Sequence, residues 1–418
     1  MKKFIFPLIL VVFFILMVWG MGMKQTGNLA PSINAIFGKE DYTDIVSANN
    51  QLGMKLLTEI GAGNGGNTVI SPTSLFMALS MVYNGADGKT KEEMEKVLQT
   101  TGMDANELSQ ANASMMSMLH KHFKQIQLHI ANSIWLNKDF HFQDKFATNN
   151  RDYFNAEIKE IDINDRKSVP LINDWVKKST NGKIKEIIED PLDLDLVTVL
   201  INAIYFNGKW QYEFDKEQTK EQTFHLTEGT TKKVQLMTLN EKLAYLETED
   251  FQAVSLPYGD GQMSMKIFLP RESSNLAEFQ KMLTTENWEK WNSEFTEKKG
   301  TVLLPKFQLE YEVILNDPLK NLGMENAFDS RANFSKMVKE TDPIMISEVK
   351  QKTFIDVNEA GTEAAAATSV QMVKESASID NPFFIEVNRP FFITITEEES
   401  GTILFMGLIS DPQGGTQK

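Results

Sequence analysis

An α+β fold with large antiparallel or mixed sheets is predicted by three features of this 418-residue chain. Helical periodicity dominates up to about residue 195 and strand patterns dominate after it, the segregation typical of α+β proteins. No Pro/Gly-rich seam or internal repeat divides residues 44–413, so one domain is expected there. The 42% hydrophobic and 24% charged residues are those of an ordinary globular protein with a large core.

Two lysines at the amino terminus precede an apolar run from Phe4 to Met23, with no charge until Lys24. This reads as an export signal. Its length approaches the roughly 20 apolar residues that span a bilayer, so cleaved secretion and retention as an anchor both fit. In either case the lysines favour the cytoplasmic side and the rest is extracytoplasmic. Residues 24–43 read as a polar tether and 414–418 as a polar tail.

The first helix is predicted over Asp44–Glu59, with apolar residues at Ile45, Val46, Leu52, Leu56 and Leu57. Ser71-Pro72-Thr73-Ser74 starts a second, with Pro just inside the helix where its missing N–H costs nothing. Thr90-Lys-Glu-Glu93 has the spacing of a capping box and predicts a helix starting there. Glu107–Phe123 and Lys167–Ser179 are further helices. Leu196–Phe206 is a long buried strand. Shorter strands are predicted at Val234–Thr238, Phe251–Pro257, Met263–Leu269, Val302–Leu304 and Glu310–Val313. Lys352–Val357, Pro382–Val387, Phe391–Thr396 and Ile403–Ile409 complete the set.

Between two of these strands lies Asn358–Ser378, which has no proline, no aromatic residue and a first half of small side chains. Long loops inside compact domains are generally functional or disordered. Flexible linkers favour Gly, Ser and Pro, whereas this segment has one glycine and then alanines and β-branched residues. It is a loop whose composition also suits a strand.

A net charge of −15 argues against a nucleic-acid binder, which needs a basic face. The absence of cysteine excludes disulfides, thiolate metal sites and a cysteine nucleophile. The five histidines, at 120, 122, 129, 141 and 225, have no metal-ligand spacing. No Gly-x-Ser-x-Gly elbow is present. Gly85-Ala-Asp-Gly88-Lys-Thr90 fails as a phosphate loop, because Tyr83 occupies the first glycine position and a helix precedes it. His120, Lys121, His122 and Lys124 read as a solvated basic face, and Asn112 and Asn333 stand in glycosylation sequons. An enzyme is therefore not expected.

Ordered blocks across 44–413 resemble the serpin family. They are Asn67-Thr-Val-Ile-Ser-Pro-Thr-Ser-Leu75, Gly85–Thr90, Ala131-Asn-Ser-Ile-Trp-Leu136, Ile172-Asn-Asp-Trp-Val176 and Thr180-Asn-Gly-Lys-Ile184. Asn202-Ala-Ile-Tyr-Phe-Asn-Gly-Lys-Trp210, Leu304-Pro-Lys-Phe307, Leu322–Met324, Ala327-Phe328 and Ala332–Ser335 follow. Glu359-Ala-Gly-Thr-Glu-Ala-Ala-Ala-Ala-Thr368, Asn388-Arg-Pro-Phe-Phe392 and Leu404-Phe-Met-Gly407 end the series. The resemblance implies three β-sheets, eight to nine helices and an exposed reactive-centre loop at about 359–381. It also implies a suicide-substrate inhibitor of serine proteases, with cysteine proteases as a second class. The target would be held in a covalent 1:1 complex while the cut loop inserts into the large sheet as a new strand.

Alternation of side chains in the inserted strand would send Thr362, Ala364, Ala366, Thr368, Val370 and Met372 inward. Glu363, Ala365, Ala367, Ser369, Gln371 and Val373 would face outward. None of the inward set is charged, and no proline removes a ladder donor. The hinge, Glu359, Gly361, Thr362, Glu363 and Ala364 to Thr368, is thus fit to insert. The alternative is a non-inhibitory member, a chaperone or small-ligand carrier.

The family's spacing from Gly361 places the reactive bond at Glu375–Ser376; a loop one residue shorter makes Lys374 the residue before the cut. Cleavage after Met372 or Val373 is also open. By the resemblance, Asn202 with Ser71 and Ser74 forms the shutter beneath the opening strands, and Trp210 caps the breach. Gln351 stands where the family often has a histidine, and it both donates and accepts hydrogen bonds without titrating. No cofactor, metal, nucleic acid or heparin-type activator is expected. The chain is expected to be a monomer, with loop–sheet polymers as its failure mode.

Overall fold

The computed structural model describes residues 30–61, 66–120, 123, 125–227, 229–362 and 381–412. The first half carries helices α1 (Thr43–Gly61), α2 (Pro72–Tyr83), α3 (Gly88–Leu98), α4 (Ala105–Leu119), α5 (Asp144–Phe154) and α6 (Ser168–Ser179). The strands among them are β1 (Thr68–Ile70), β2 (Ile126–Asn137), β3 (Glu157–Ile161) and β4 (Thr198–Lys209). Next come β5 (Lys220–His225), β6 (Thr231–Glu247), β7 (Phe251–Tyr258) and β8 (Met263–Pro270). Short helices α7 (Leu276–Lys281) and α8 (Thr285–Glu294) lead to β9 (Thr296–Pro305), β10 (Phe307–Ile314) and α9 (Asn316–Asn321). The last strands are β11 (Glu348–Asn358), β12 (Gly361–Thr362), β13 (Phe383–Glu386), β14 (Phe391–Glu397) and β15 (Ile403–Ile409).

The six-stranded sheet has the order β10-β11-β12-β4-β2-β3. In it β11 also pairs directly with β4, in parallel, from Glu348↔Val199 to Phe354↔Tyr205. The nine-stranded sheet runs β1-β15-β14-β8-β7-β6-β9-β13, with β5 paired to β6. The resemblance implied three sheets. Hydrogen bonding among the described residues joins them into two, because β6, seventeen residues long, pairs with β5, β7 and β9.

The main core lies between the two sheets and includes α1 and α2. Every residue of α2 is buried, which its uniformly apolar sequence demands. A second core covers the other face of the six-stranded sheet. There α6 and the strap that follows it pack Ile172, Val176, Ile184, Ile187 and Leu196 on Trp135, Val199, Ile201 and Ala203.

Local expectations needed correction in several places. The predicted capping box at Thr90 does not form: α3 starts at Gly88 with Asp87 as its N-cap. The Thr90 hydroxyl instead accepts the Asn333 N–H at 3.0 Å, so a long-range contact takes the group that the local pattern assigned to a cap. The capping box nearby is Asp104 with Glu107, and its helix closes at Leu119, short of the predicted Phe123. Asn112 is buried inside α4 with its amide donating to the Leu108 carbonyl, which closes that sequon to modification in the folded chain; Asn333 is exposed. Among the described residues no helix is long and apolar enough to cross a membrane. The apolar segment 4–23, the tail from 413, and Lys121, His122 and Lys124 of the basic face lie outside them.

Candidate functional site

The candidate site is the seam between β11 and β4. Over its lower part the two strands are bonded to each other. At the top they are held apart by β12, where Thr362 pairs with Val357 on one side and Gly208 on the other. Gly361 makes this wedge possible. Its φ is +151°, and a Cβ there would lie 2.1 Å from the Gly208 carbonyl oxygen.

Around the wedge the side chains form a closed cluster. Thr362 is fully buried, with its hydroxyl 2.6 Å from the Tyr258 hydroxyl. Tyr258 stacks on Trp210 at 4.4 Å and meets Phe206 edge-on at 5.0 Å. Burial pushes the Tyr258 phenol far above its ordinary range, so it remains a neutral O–H. Trp210 ties the turn below it, its indole N–H donating to the Asn358 carbonyl at 2.9 Å and its backbone N–H to Ala360 at 3.1 Å.

Glu359, two residues before Gly361, is 6% exposed. Lys306 approaches one carboxylate oxygen at 3.0 Å, and the Thr219 hydroxyl donates to the other at 3.0 Å. Burial works against ionisation here. The carboxylate's own backbone N–H, Lys306 and Thr219 outweigh it and hold the group below the usual range.

Lower in the seam is a second polar cluster under the N-terminus of α2. Gln351 donates to the Asn202 side-chain oxygen at 2.5 Å, which binds β11 to β4. It also accepts the Ser71 N–H at 2.8 Å and donates to the Ser71 carbonyl at 3.0 Å. Asn202 donates to the Ser74 hydroxyl and, at 2.5 Å, to Asn132 of β2. Ser71 in turn caps α2 by accepting the Ser74 N–H at 3.2 Å. All five side chains are buried.

The sequence-derived residues therefore fall into two groups. Ser71, Ser74, Asn202 and Gln351 come together in the lower cluster, and Trp210, Glu359, Gly361 and Thr362 in the upper. Glu363, Ala364 to Thr368, Lys374, Glu375 and Ser376 lie outside the described residues. Sequence reasoning named no role for Asn132, Tyr258, Lys306 or Thr219. Asn132 and Lys306 stood inside blocks that carried the resemblance; nothing local marks Tyr258 or Thr219. Among the described residues no three His, Cys, Asp or Glu side chains are grouped to hold a metal.

A family model described as "Serpin (serine protease inhibitor)" matches residues 47–412. Serpin B6 of Pongo abelii is 35% identical over 378 residues, covering 88% of this chain and 99% of the relative. Iripin-2 of Ixodes ricinus is 31% identical, covering 89% and 94%. Among solved structures, the thermophilic serpin tengpin in its native state superimposes with a TM-score of 0.82 at 32% identity, covering 91% of this chain and 97% of tengpin. Human thyroxine-binding globulin, in complex with thyroxine, has a TM-score of 0.81 at 23% identity over 90% of this chain and all of its own, which shows a shared fold alone.

Proposed function

We propose that this chain, which belongs to the serpin family, inhibits serine proteases by irreversible covalent trapping coupled to insertion of its cleaved loop. One observation carries the reading: the hinge residue Thr362 is already a rung of the six-stranded sheet, paired to both strands of the seam that a new strand must enter. Extending its antiparallel register downward sets Ala364 between Ile355 and Phe206, and Ala366 between Thr353 and Ile204. Thr368 then falls between Gln351 and Asn202. The inserted strand would thus break the side-chain bond between Gln351 and Asn202, together with the backbone pairing of β11 to β4, and offer a threonine hydroxyl to the same two amides.

In the trapping step the protease's serine oxygen bonds to the carbonyl carbon of the residue before the cut, Glu375 or Lys374. The following amide breaks, and its nitrogen leaves as a new amino terminus carrying a proton from the protease. Insertion of 363 onward then removes the ester from the geometry its hydrolysis requires. The partner is a protease in a 1:1 complex; the inhibitor acts as a monomer, with loop–sheet polymers as its aberrant product. The apolar segment 4–23 supports an extracytoplasmic place of action, free or tethered.

A second reading, small-ligand carriage, is supported by a surface pocket of ≈ 320 Å³ lined by Gln51, Met54, Lys55, Thr58, Glu59 and Leu283. A protease panel resolved on denaturing gels separates the two. An inhibitor gives an adduct of summed mass, and a carrier gives only cleaved chain. Mass spectrometry of the released fragment decides between Glu375 and Lys374.

A further inference from the structure

His129 stands in β2 directly opposite Tyr205 of β4, the two rings 5.6 Å apart. It is 7% exposed and shares with Ala131 and Trp135 the face of the sheet that α6 and its strap cover. Its Nε2 lies 3.1 Å from the side-chain amide nitrogen of Asn181, just past the last turn of α6. That end of the helix is closed by Thr180 N–H to Val176 and Gly182 N–H to Lys177, with Asn181 in the left-handed conformation at φ +52°. The second ring nitrogen, Nδ1, has no partner among the described residues. One imidazole therefore joins the end of α6 to the sheet, and it has only one good hydrogen bond with which to do so.

A neutral ring satisfies this geometry in one of two ways. The Asn181 amide donates to Nε2, or, with the amide turned, Nε2–H donates to its oxygen. A protonated ring carries two N–H groups and a charge. Nδ1 lacks a partner in either neutral form as well; protonation adds a buried charge and removes Nε2 as an acceptor for the Asn181 amide, a costly arrangement. The charged and titratable groups around it offer no remedy. β2 carries no Asp, Glu, Lys or Arg. β4 presents Tyr205, which feels Asp356 of β11; Lys183 beyond α6 acts on Asp356, and the last turn of α6 holds Lys177 and Lys178. The carbonyl end of a helix favours a cation, but burial outweighs it and holds His129 below its ordinary value.

We infer that His129 is a proton-operated latch, holding the C-terminal end of α6 on the six-stranded sheet while neutral and releasing it when protonated. The sign follows from the depressed value. Stability is fully present above the ordinary imidazole range and is lost as pH falls through the folded-state value. The latch does not rest on the inhibitory reading; its consequence does, since a loosened α6 would ease strand insertion beneath it in acid.

The test is hydrogen exchange at the Thr180 and Gly182 amides between pH 7.5 and 5.5, corrected for intrinsic chemistry. The wild-type chain should lose protection several-fold as pH falls. His129→Gln, which retains a hydrogen-bonding side chain without a proton to gain, should lose the pH dependence. Asn181→Asp, at an exposed site, supplies a carboxylate to the cationic ring and should flatten or reverse it. Flat wild-type exchange, or His129→Gln and Asn181→Asp both titrating like wild type, overturns the latch. Exchange that responds as expected while protease gels show no adduct supports the latch and removes the inhibitory reading alone.

Discussion

The Tyr258 hydroxyl lies 2.6 Å from the Thr362 hydroxyl, and both side chains are fully buried. This bond fixes the first inserted rung against the aromatic stack of Tyr258 on Trp210. Tyr258→Phe removes it and leaves a buried threonine hydroxyl without that partner. A loss of about 1–2 kcal/mol of stability is expected, the range for one unsatisfied buried group, read from the urea midpoint at unchanged m-value.

Thr362→Arg asks a long cation to occupy a position with no exposure, beside the neutral Tyr258 hydroxyl. The hinge should be expelled from the seam. Incubation with a target protease should then yield cleaved chain where the parent gives adduct, with the adduct fraction falling at least about tenfold, as a penalty of ~1.4 kcal/mol in partitioning suffices for that. Undiminished adduct would show that the rung at Thr362 is irrelevant to trapping.

How much of this was legible in the sequence differs between the two clusters. The alternation Thr362, Ala364, Ala366, Thr368 was readable because a strand's two-residue period needs only the chain itself. Ser71 was readable as the start of α2 for the same reason: a cap is a local event. Tyr258 was not, because it reaches Thr362 across 104 residues and sits in a segment that reads only as an ordinary strand. The failed capping box at Thr90 has the same cause, since its hydroxyl is claimed by a backbone N–H 243 residues away. Asn202 and Gln351 were marked by resemblance. Their direct bond needed the parallel pairing of β11 with β4, which no sequence period specifies.

Asn202→Ala strips Gln351, Ser74 and Asn132 of a shared partner at once. A destabilisation of roughly 2–3 kcal/mol is expected, together with faster polymer formation on mild heating, because the lower seam loses its side-chain tie. Chemical denaturation and size-exclusion chromatography after incubation measure the two effects. Stability within about 0.5 kcal/mol of the parent, the scatter of ordinary surface substitutions, would mean that the cluster does not hold the seam shut.

Glu359 sets an acid limit on the upper cluster. Its folded-state value is depressed, so its contribution is complete above the unfolded carboxylate range and is lost as pH falls through the folded value. Lys306→Gln removes the cation and leaves burial to act, which raises the carboxyl's value. The acid-unfolding midpoint should then move to higher pH than in the parent. Lys306 is partly exposed, so the size of the shift should shrink with added salt. An unmoved midpoint would assign the depression to the backbone N–H and Thr219 alone.

Melting of the intact chain and of the same chain nicked in its loop, compared under one buffer, bears most directly on the account. If the seam wedged at Thr362 is a partly opened slot for 363 onward, filling it replaces the single parallel ladder between β11 and β4 with two antiparallel ones. The nicked form should melt well above the intact form. A nicked chain that melts at the same temperature or lower would contradict strand insertion, and with it the trapping mechanism.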